Sequence, residues 1–155
     1  MVSVQATCNY TFKDVSIPPE VKTVRVNYIE NRARYVNPQL SPQLTERIRQ
    51  KITGQTRLII VNSDDAHYDV GGYITDFSVS TSGVSGKEAS SNNLNVTMHL
   101  IFKNRLDEKK NFESDITRNF PFSASISFTD AQNGLMDDIL KNMSDDIFNK
   151  IFSNW

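Results

Sequence analysis

Asp64-Asp65-Ala66-His67 is the densest local grouping of side chains able to hold a metal ion or move a proton. Two carboxylates and an imidazole are suitable donors, but a metal's shell needs further ligands that only the fold can bring in. A solvated turn ahead of a strand is the plainer reading of these four residues. His99 falls on the polar phase of an alternating segment, has no partner near it in sequence, and reads as a surface or rim histidine. Gly83-Val84-Ser85-Gly86-Lys87 lacks the residue gap of a phosphate loop, and no helical pattern follows it. It also lacks the second glycine of a Gly-x-Ser-x-Gly nucleophile elbow. One cysteine, Cys8, cannot close an internal disulfide, and with two histidines it cannot complete the usual four-ligand zinc site. A hydrolase would need catalytic side chains scattered along the chain. Sequence spacing cannot show whether the fold brings such side chains together, so an enzyme stays open at this point; no metal and no cofactor is expected.

Charge placement is more informative. The whole chain is nearly balanced, with 17 Lys plus Arg against 18 Asp plus Glu. That balance argues against a dedicated nucleic-acid binder, which carries a basic excess. Between Val21 and Arg57, however, eight cations (Lys22, Arg25, Arg32, Arg34, Arg47, Arg49, Lys51 and Arg57) face two carboxylates, Glu30 and Glu46. The C-terminal stretch from Thr129 is acidic in its turn. The plain reading of the basic stretch is ordinary solvated surface. The functional one is an Arg-rich face for phosphates or carboxylates, which guanidinium binds in bidentate fashion. Because one strand and one helix carry these residues, a single patch is expected.

The elements that must position them follow from periodicity. At 155 residues the chain is the size of one domain. Residues 1–20, with Pro18-Pro19, read as an irregular lead-in, and 21–155 as a single domain. Val24, Val26 and Tyr28 alternate with polar residues as a half-buried strand does. Asn31 to Pro38 reads as a loop. Ser41-Pro42 predicts a helix start, Leu44, Ile48 and Ile52 its apolar stripe, and Gly54 its end. Arg57 to Asn62 contains Leu58-Ile59-Ile60-Val61 and predicts a strand buried on both faces, or nearly so. That run is the longest aliphatic one, far short of the roughly 18 residues that span a bilayer.

His67 to Ser80 predicts one long strand whose phase shifts at Gly71-Gly72, as across a β-bulge, placing Tyr73 with Phe77 and Val79. Ser82 to Asn93 reads as a polar loop. Leu94 to Phe102 and Phe112 to Phe120 alternate around a charged turn and predict a hairpin. From about Asp130 the stripe Leu135, Ile139, Met143, Ile147 and Ile151 predicts a long helix covering a sheet. The sum is a two-layer α/β sandwich: a mostly antiparallel sheet with two helices on one face.

Several segments, in order, resemble a known family. They are Cys8-Asn9-Tyr10-Thr11-Phe12, Pro19 to Val24, Asn31-Arg32-Ala33, Asn37 to Ser41, and Leu44-Thr45-Glu46. Gln55 to Leu58, Val61-Asn62-Ser63, Gly72 to Phe77, Asn111-Phe112-Glu113 and Asp146 to Lys150 complete the set. Together they are similar to the LptE family of lipopolysaccharide-assembly lipoproteins, in its shorter branch. The resemblance implies a lipoprotein that is not an enzyme, anchored at Cys8 on the periplasmic face of the outer membrane. It also implies an LptD-type β-barrel as partner, which the chain would plug and help assemble, and lipopolysaccharide as ligand. The lipopolysaccharide-binding candidates Arg25, Arg32, Arg34, Arg47, Arg49, Lys51 and Arg57 come from charge, not from the family's pattern. A lipoprotein signal needs a charged start, an apolar stretch of roughly 7–15 residues and small residues before the cysteine. Only Met1 to Thr7 precede Cys8, so the export signal is expected to lie outside the sequence as given. The alternative of a different class is a free periplasmic carrier of lipid or another small ligand, which would show an enclosed apolar pocket between helices and sheet.

Overall fold

The computed structural model describes residues 17–85 and 88–153, so Cys8 and the lead-in before Ile17 lie outside the described residues. Its elements in chain order are β1 (Thr23–Val26), β2 (Glu30–Asn31), α1 (Leu40–Gln55), β3 (Ile59–Ile60), β4 (Tyr68–Ser85), β5 (Glu88–Asn104), β6 (Phe112–Ser123) and α2 (Phe128–Phe152). A short 3-10 turn at Glu108–Lys110 joins β5 to β6. Among the described residues these strands form one sheet of order β3-β1-β4-β5-β6, with β2 also paired to β4. The three long strands β4, β5 and β6 run antiparallel. The short strands add a parallel part, with β1 beside both β3 and β4, and β2 beside β4. This is the expected two-layer α/β arrangement, with its antiparallel meander carrying most of the pairing.

One face of the sheet is dry. Alternation along β5 turns Leu94, Val96, Met98, Leu100 and Phe102 to that face, where all are buried. They meet Leu44, Ile48 and Ile52 of α1 and Ile139, Met143, Ile147 and Ile151 of α2 in one continuous cluster. Each fully buried aliphatic or aromatic side chain contributes about 1.5–3 kcal/mol, so this shared layer holds helices and sheet together. Among the described residues no helix is long and apolar enough to cross a membrane.

Several boundaries differ from expectation, each for a local reason. Helix α1 begins at Leu40, and Ser41 is inside it, buried, and caps nothing. The entry is made by Asn37, whose Oδ1 accepts the Gln39 N–H at 2.9 Å while its carbonyl accepts the Leu40 N–H at 3.2 Å. The helix passes Gly54 and stops after Gln55, where Thr56 turns extended and its N–H bonds the Ile52 carbonyl at 3.0 Å. Helix α2 starts earlier than Asp130, with the Ser127 hydroxyl accepting the Asp130 N–H.

The aliphatic run 58–61 yields a two-residue edge strand, not one buried on both faces; Ile59 is 65% exposed. The expected loop at 82–93 is instead hairpin: β4 and β5 keep pairing through Thr81↔Asn92 and Ser82↔Ser91 to Ser85↔Glu88. The bulge lies at Ile74/Asp76, not at Gly71-Gly72. Ile74 therefore joins the core, and Tyr73 turns to the opposite face. Gly72 has φ 142°, and a Cβ there would stand 2.0 Å from the His99 carbonyl oxygen. No L side chain fits that approach.

Candidate functional site

Among the described residues both helices pack on the apolar face, and the side chains of the other face form two connected polar rows. In the first, register sets Glu30 against Tyr73, Tyr73 against His99, and His99 against Asp115. The Arg32 guanidinium lies 3.9 Å above the Tyr73 ring, a cation–π distance, and its Nη2 is 3.2 Å from Glu30. His99 packs beside the same tyrosine with ring centroids 5.3 Å apart. Its Nδ1 is 2.7 Å from Asp115 and its Nε2 is 2.8 Å from Glu113. These two bonds, to Asp115 and then Glu113, raise the His99 pKa above the ordinary 6.5. When protonated, His99 donates from both ring nitrogens to these carboxylates and keeps no free nitrogen with which to accept a proton from a substrate.

The second row centres on Arg25, which sits between the core residues Val24 and Val26 and so points to this open face. It bonds Asp69 through Nε at 3.1 Å and again through Nη2, and its Nη1 reaches Asp64. Asn27 donates to the other Asp69 oxygen. Between the two rows lies a surface cleft of about 450 Å³, bordered by Arg25, Arg32, Tyr73, Ile101 and Lys103.

The acidic cluster therefore serves the fold. Asp64 pairs with Arg25, and Asp65 accepts from the Ser63 hydroxyl, a bond that lowers its pKa. His67 Nδ1 accepts the Lys22 backbone N–H at 2.9 Å, which ties the turn to the start of β1. Among the described residues no group of three His, Cys, Asp or Glu side chains could hold a metal.

The seven cationic candidates are divided among several places. Arg25 and Arg32 share the open sheet face, each with a carboxylate partner. Arg49, on α1, donates to the Val26 carbonyl at 3.0 Å. Lys51 Nζ bridges to Asp145 of α2. Arg57 donates to the carbonyls of Val21, Pro18 and Ile17, pinning the segment before β1. Arg34, in the loop after β2, and Arg47, on the outer side of α1, are exposed and without an ion-pair partner among the described residues. Charge counting marked all seven alike, and contacts separate five engaged cations from these two. Tyr73, Glu113 and Asp115 escaped sequence reasoning, although a signal was there. Setting Phe102 opposite Phe112 in the hairpin also sets His99 opposite Asp115.

The α/β fold, a sheet with two helices packed on one face, is similar to those of several solved bacterial proteins. A minor lipoprotein from Acinetobacter baumannii superposes with a TM-score of 0.56 at 14% identity, covering 84% of this chain and 92% of that one. Rare lipoprotein B from Shewanella oneidensis gives 0.52 at 11% identity, covering 83% and 93%. A hypothetical protein from Chlamydia trachomatis gives 0.55 at 11% identity, covering 84% and 95%. These likenesses establish the fold. No curated protein sequence matches the chain significantly. The family model LptE, described as lipopolysaccharide-assembly, matches residues 21–151, and the chain belongs to the LptE family. That membership supports a role in lipopolysaccharide assembly, in a family of non-enzymatic lipoproteins.

Proposed function

We propose that the chain works in lipopolysaccharide assembly as the lipoprotein partner of an LptD-type β-barrel, and that it binds lipopolysaccharide directly. The observation that carries this reading is the family match across nearly the whole folded domain, residues 21–151. In this reading Cys8 bears the lipid anchor, and the domain faces the periplasm at the outer membrane. Chains on one anchor would hold it there by about 0.8 kcal/mol per buried CH2.

Contacts supply the order of importance among the cations. Arg34 and Arg47 are free to meet lipid A phosphates, and Arg32 can exchange its exposed Glu30 partner for one. Arg25, Arg49, Lys51 and Arg57 hold the fold and are expected to contribute less. The space between helices and sheet is filled by one contiguous apolar cluster, and Ile59 leaves an apolar point on the β3 edge. Those features favour a plug over a free carrier. The test is titration with lipopolysaccharide at low and high salt. Saturable binding that weakens as salt rises supports the reading, and salt-insensitive or absent binding rejects it.

A further inference from the structure

The cleft of about 450 Å³ between the two polar rows has the chemistry of a mixed polar site, not of a basic patch. Tyr28, Glu30, Arg32, Asp69, Ile101 and Lys103 are among its walls. The side chains of Glu30 and Arg32 are 62% and 57% exposed, and Tyr28 is 57% exposed, so a dissolved ligand can reach them. Glu30 Oε2 accepts from both Nε and Nη2 of Arg32, each at 3.2 Å. Glu30 Oε1 and Arg32 Nη1 carry no hydrogen bond among the described residues. The pair therefore sets a free acceptor beside a free donor, and the Tyr73 ring under the guanidinium orients both. Lys103, across the β4–β5 register from Asp69, is exposed and makes no ion pair among the described residues, which adds a second free donor.

Charge balance selects the class of ligand. The cations bordering the cleft, Arg25, Arg32 and Lys103, are matched by Glu30 and Asp69 within it and by Asp64, which also bonds Arg25. An anion has to displace Glu30 from Arg32 before it can bind there. A neutral molecule with adjacent hydroxyls uses the pair as it stands: one hydroxyl donates to Glu30 Oε1, and its neighbour accepts from Arg32 Nη1. Tyr28 and Ile101 offer apolar surface for the C–H face of a ring. A few fixed polar groups beside apolar walls are what a small-molecule site needs.

We propose that this cleft binds a neutral sugar ring through the Glu30–Arg32 pair, with Lys103 as a further donor and Tyr28 packed against the ring. The inference goes beyond the lipopolysaccharide reading, which turns on phosphate contacts at Arg34 and Arg47, since neither of those borders the cleft.

The probes are the methyl glycosides of glucose, galactose, mannose and N-acetylglucosamine, titrated into the isotope-labelled whole chain and followed by NMR. Saturable shifts at the Glu30, Arg32 and Lys103 amides with at least one probe, insensitive to salt, are expected. Glucose 6-phosphate, the charged comparison, is expected to bind more weakly than the best neutral probe. Glu30→Gln is expected to weaken sugar binding about tenfold, because it removes a charged acceptor. Its Tm should stay near that of the parent, since the ion pair is exposed. The octyl glycoside of the best probe, used below its micelle concentration, separates two sources of the sugar. Tighter binding than the methyl glycoside at the same amides assigns a glycolipid headgroup and equal binding a free saccharide, and both support the proposal. No saturable shift with any of the four probes overturns it. So does tighter binding of glucose 6-phosphate than of every neutral probe, or sugar binding unchanged or strengthened by Glu30→Gln. None of these probes but the last carries a phosphate, so their failure leaves the salt-dependent lipopolysaccharide titration standing as a separate result.

Discussion

Lys51 Nζ lies 2.5 Å from Asp145 Oδ1, joining α1 to α2 at the margin of the core. Lys141, one turn before Asp145, approaches its other oxygen at 3.2 Å. Partial burial pushes the Asp145 carboxyl up, but bonds from Lys51 and Lys141 outweigh it and hold the pKa below the ordinary 3.8. A lowered folded-state pKa means stability that is present above the unfolded value and lost as pH falls through the folded one. Asp145→Asn should therefore cost about 0.5–1 kcal/mol near neutral pH, and the difference from the parent should shrink on acidification below the unfolded value. Denaturant unfolding of both proteins across pH 2.5–7, about the span in which an Asp titrates, checks it.

His99 gives the opposite sign. Its pKa is raised by Asp115 and Glu113, so its contribution is complete below about 6.5 and disappears as pH rises through the folded value. NMR titration of the His99 ring should return a pKa above 6.5. The Tm of the parent, measured against His99→Gln, should fall as pH rises through the titration. A ring that titrates at or below the ordinary value would show that the two carboxylates do not hold it.

Gly72→Ala tests the close approach of β4 to β5. The added Cβ would collide with the His99 carbonyl at a backbone angle that alanine adopts poorly. The expected loss is about 2 kcal/mol or more, read by denaturant unfolding. The same experiment on Gly54, where a Cβ meets nothing within 4 Å, should show a neutral or stabilising effect.

The division of cations predicts separable phenotypes. Arg34→Gln together with Arg47→Gln should weaken lipopolysaccharide binding, and reduce its salt dependence, with stability unchanged. Arg57→Gln should leave binding intact and lower stability by about 1–2 kcal/mol, since it removes charge-assisted bonds to the Val21 and Pro18 carbonyls. Titration and unfolding of the two variants in parallel separate the roles.

The layer order was readable because helix stripes and strand alternation report burial directly. Leu44, Ile48 and Ile52 all enter the core, as do Ile139, Met143, Ile147 and Ile151. Where burial stops, that signal stops. Ser82 to Asn93 is mostly small and polar in sequence and Val79 just before it is 42% exposed, yet the ladder continues. The Ser41-Pro42 pair imitates a helix start, but Asn37-Pro38 supplies the same chemistry one turn earlier. Charge sums along the chain could not tell Arg34 from Arg57, because pairing depends on which carbonyls and carboxylates the fold brings within reach. The row from Arg32 through Tyr73 to His99 depends on strand register and on a bulge placed three residues from where composition put it.

Co-purification from the native host tests the central claim most directly. The full-length tagged protein, extracted from membranes in mild detergent, should bring down an equimolar outer-membrane β-barrel of the LptD type, identified by mass spectrometry. Recovery of the protein alone from the soluble fraction would contradict the account.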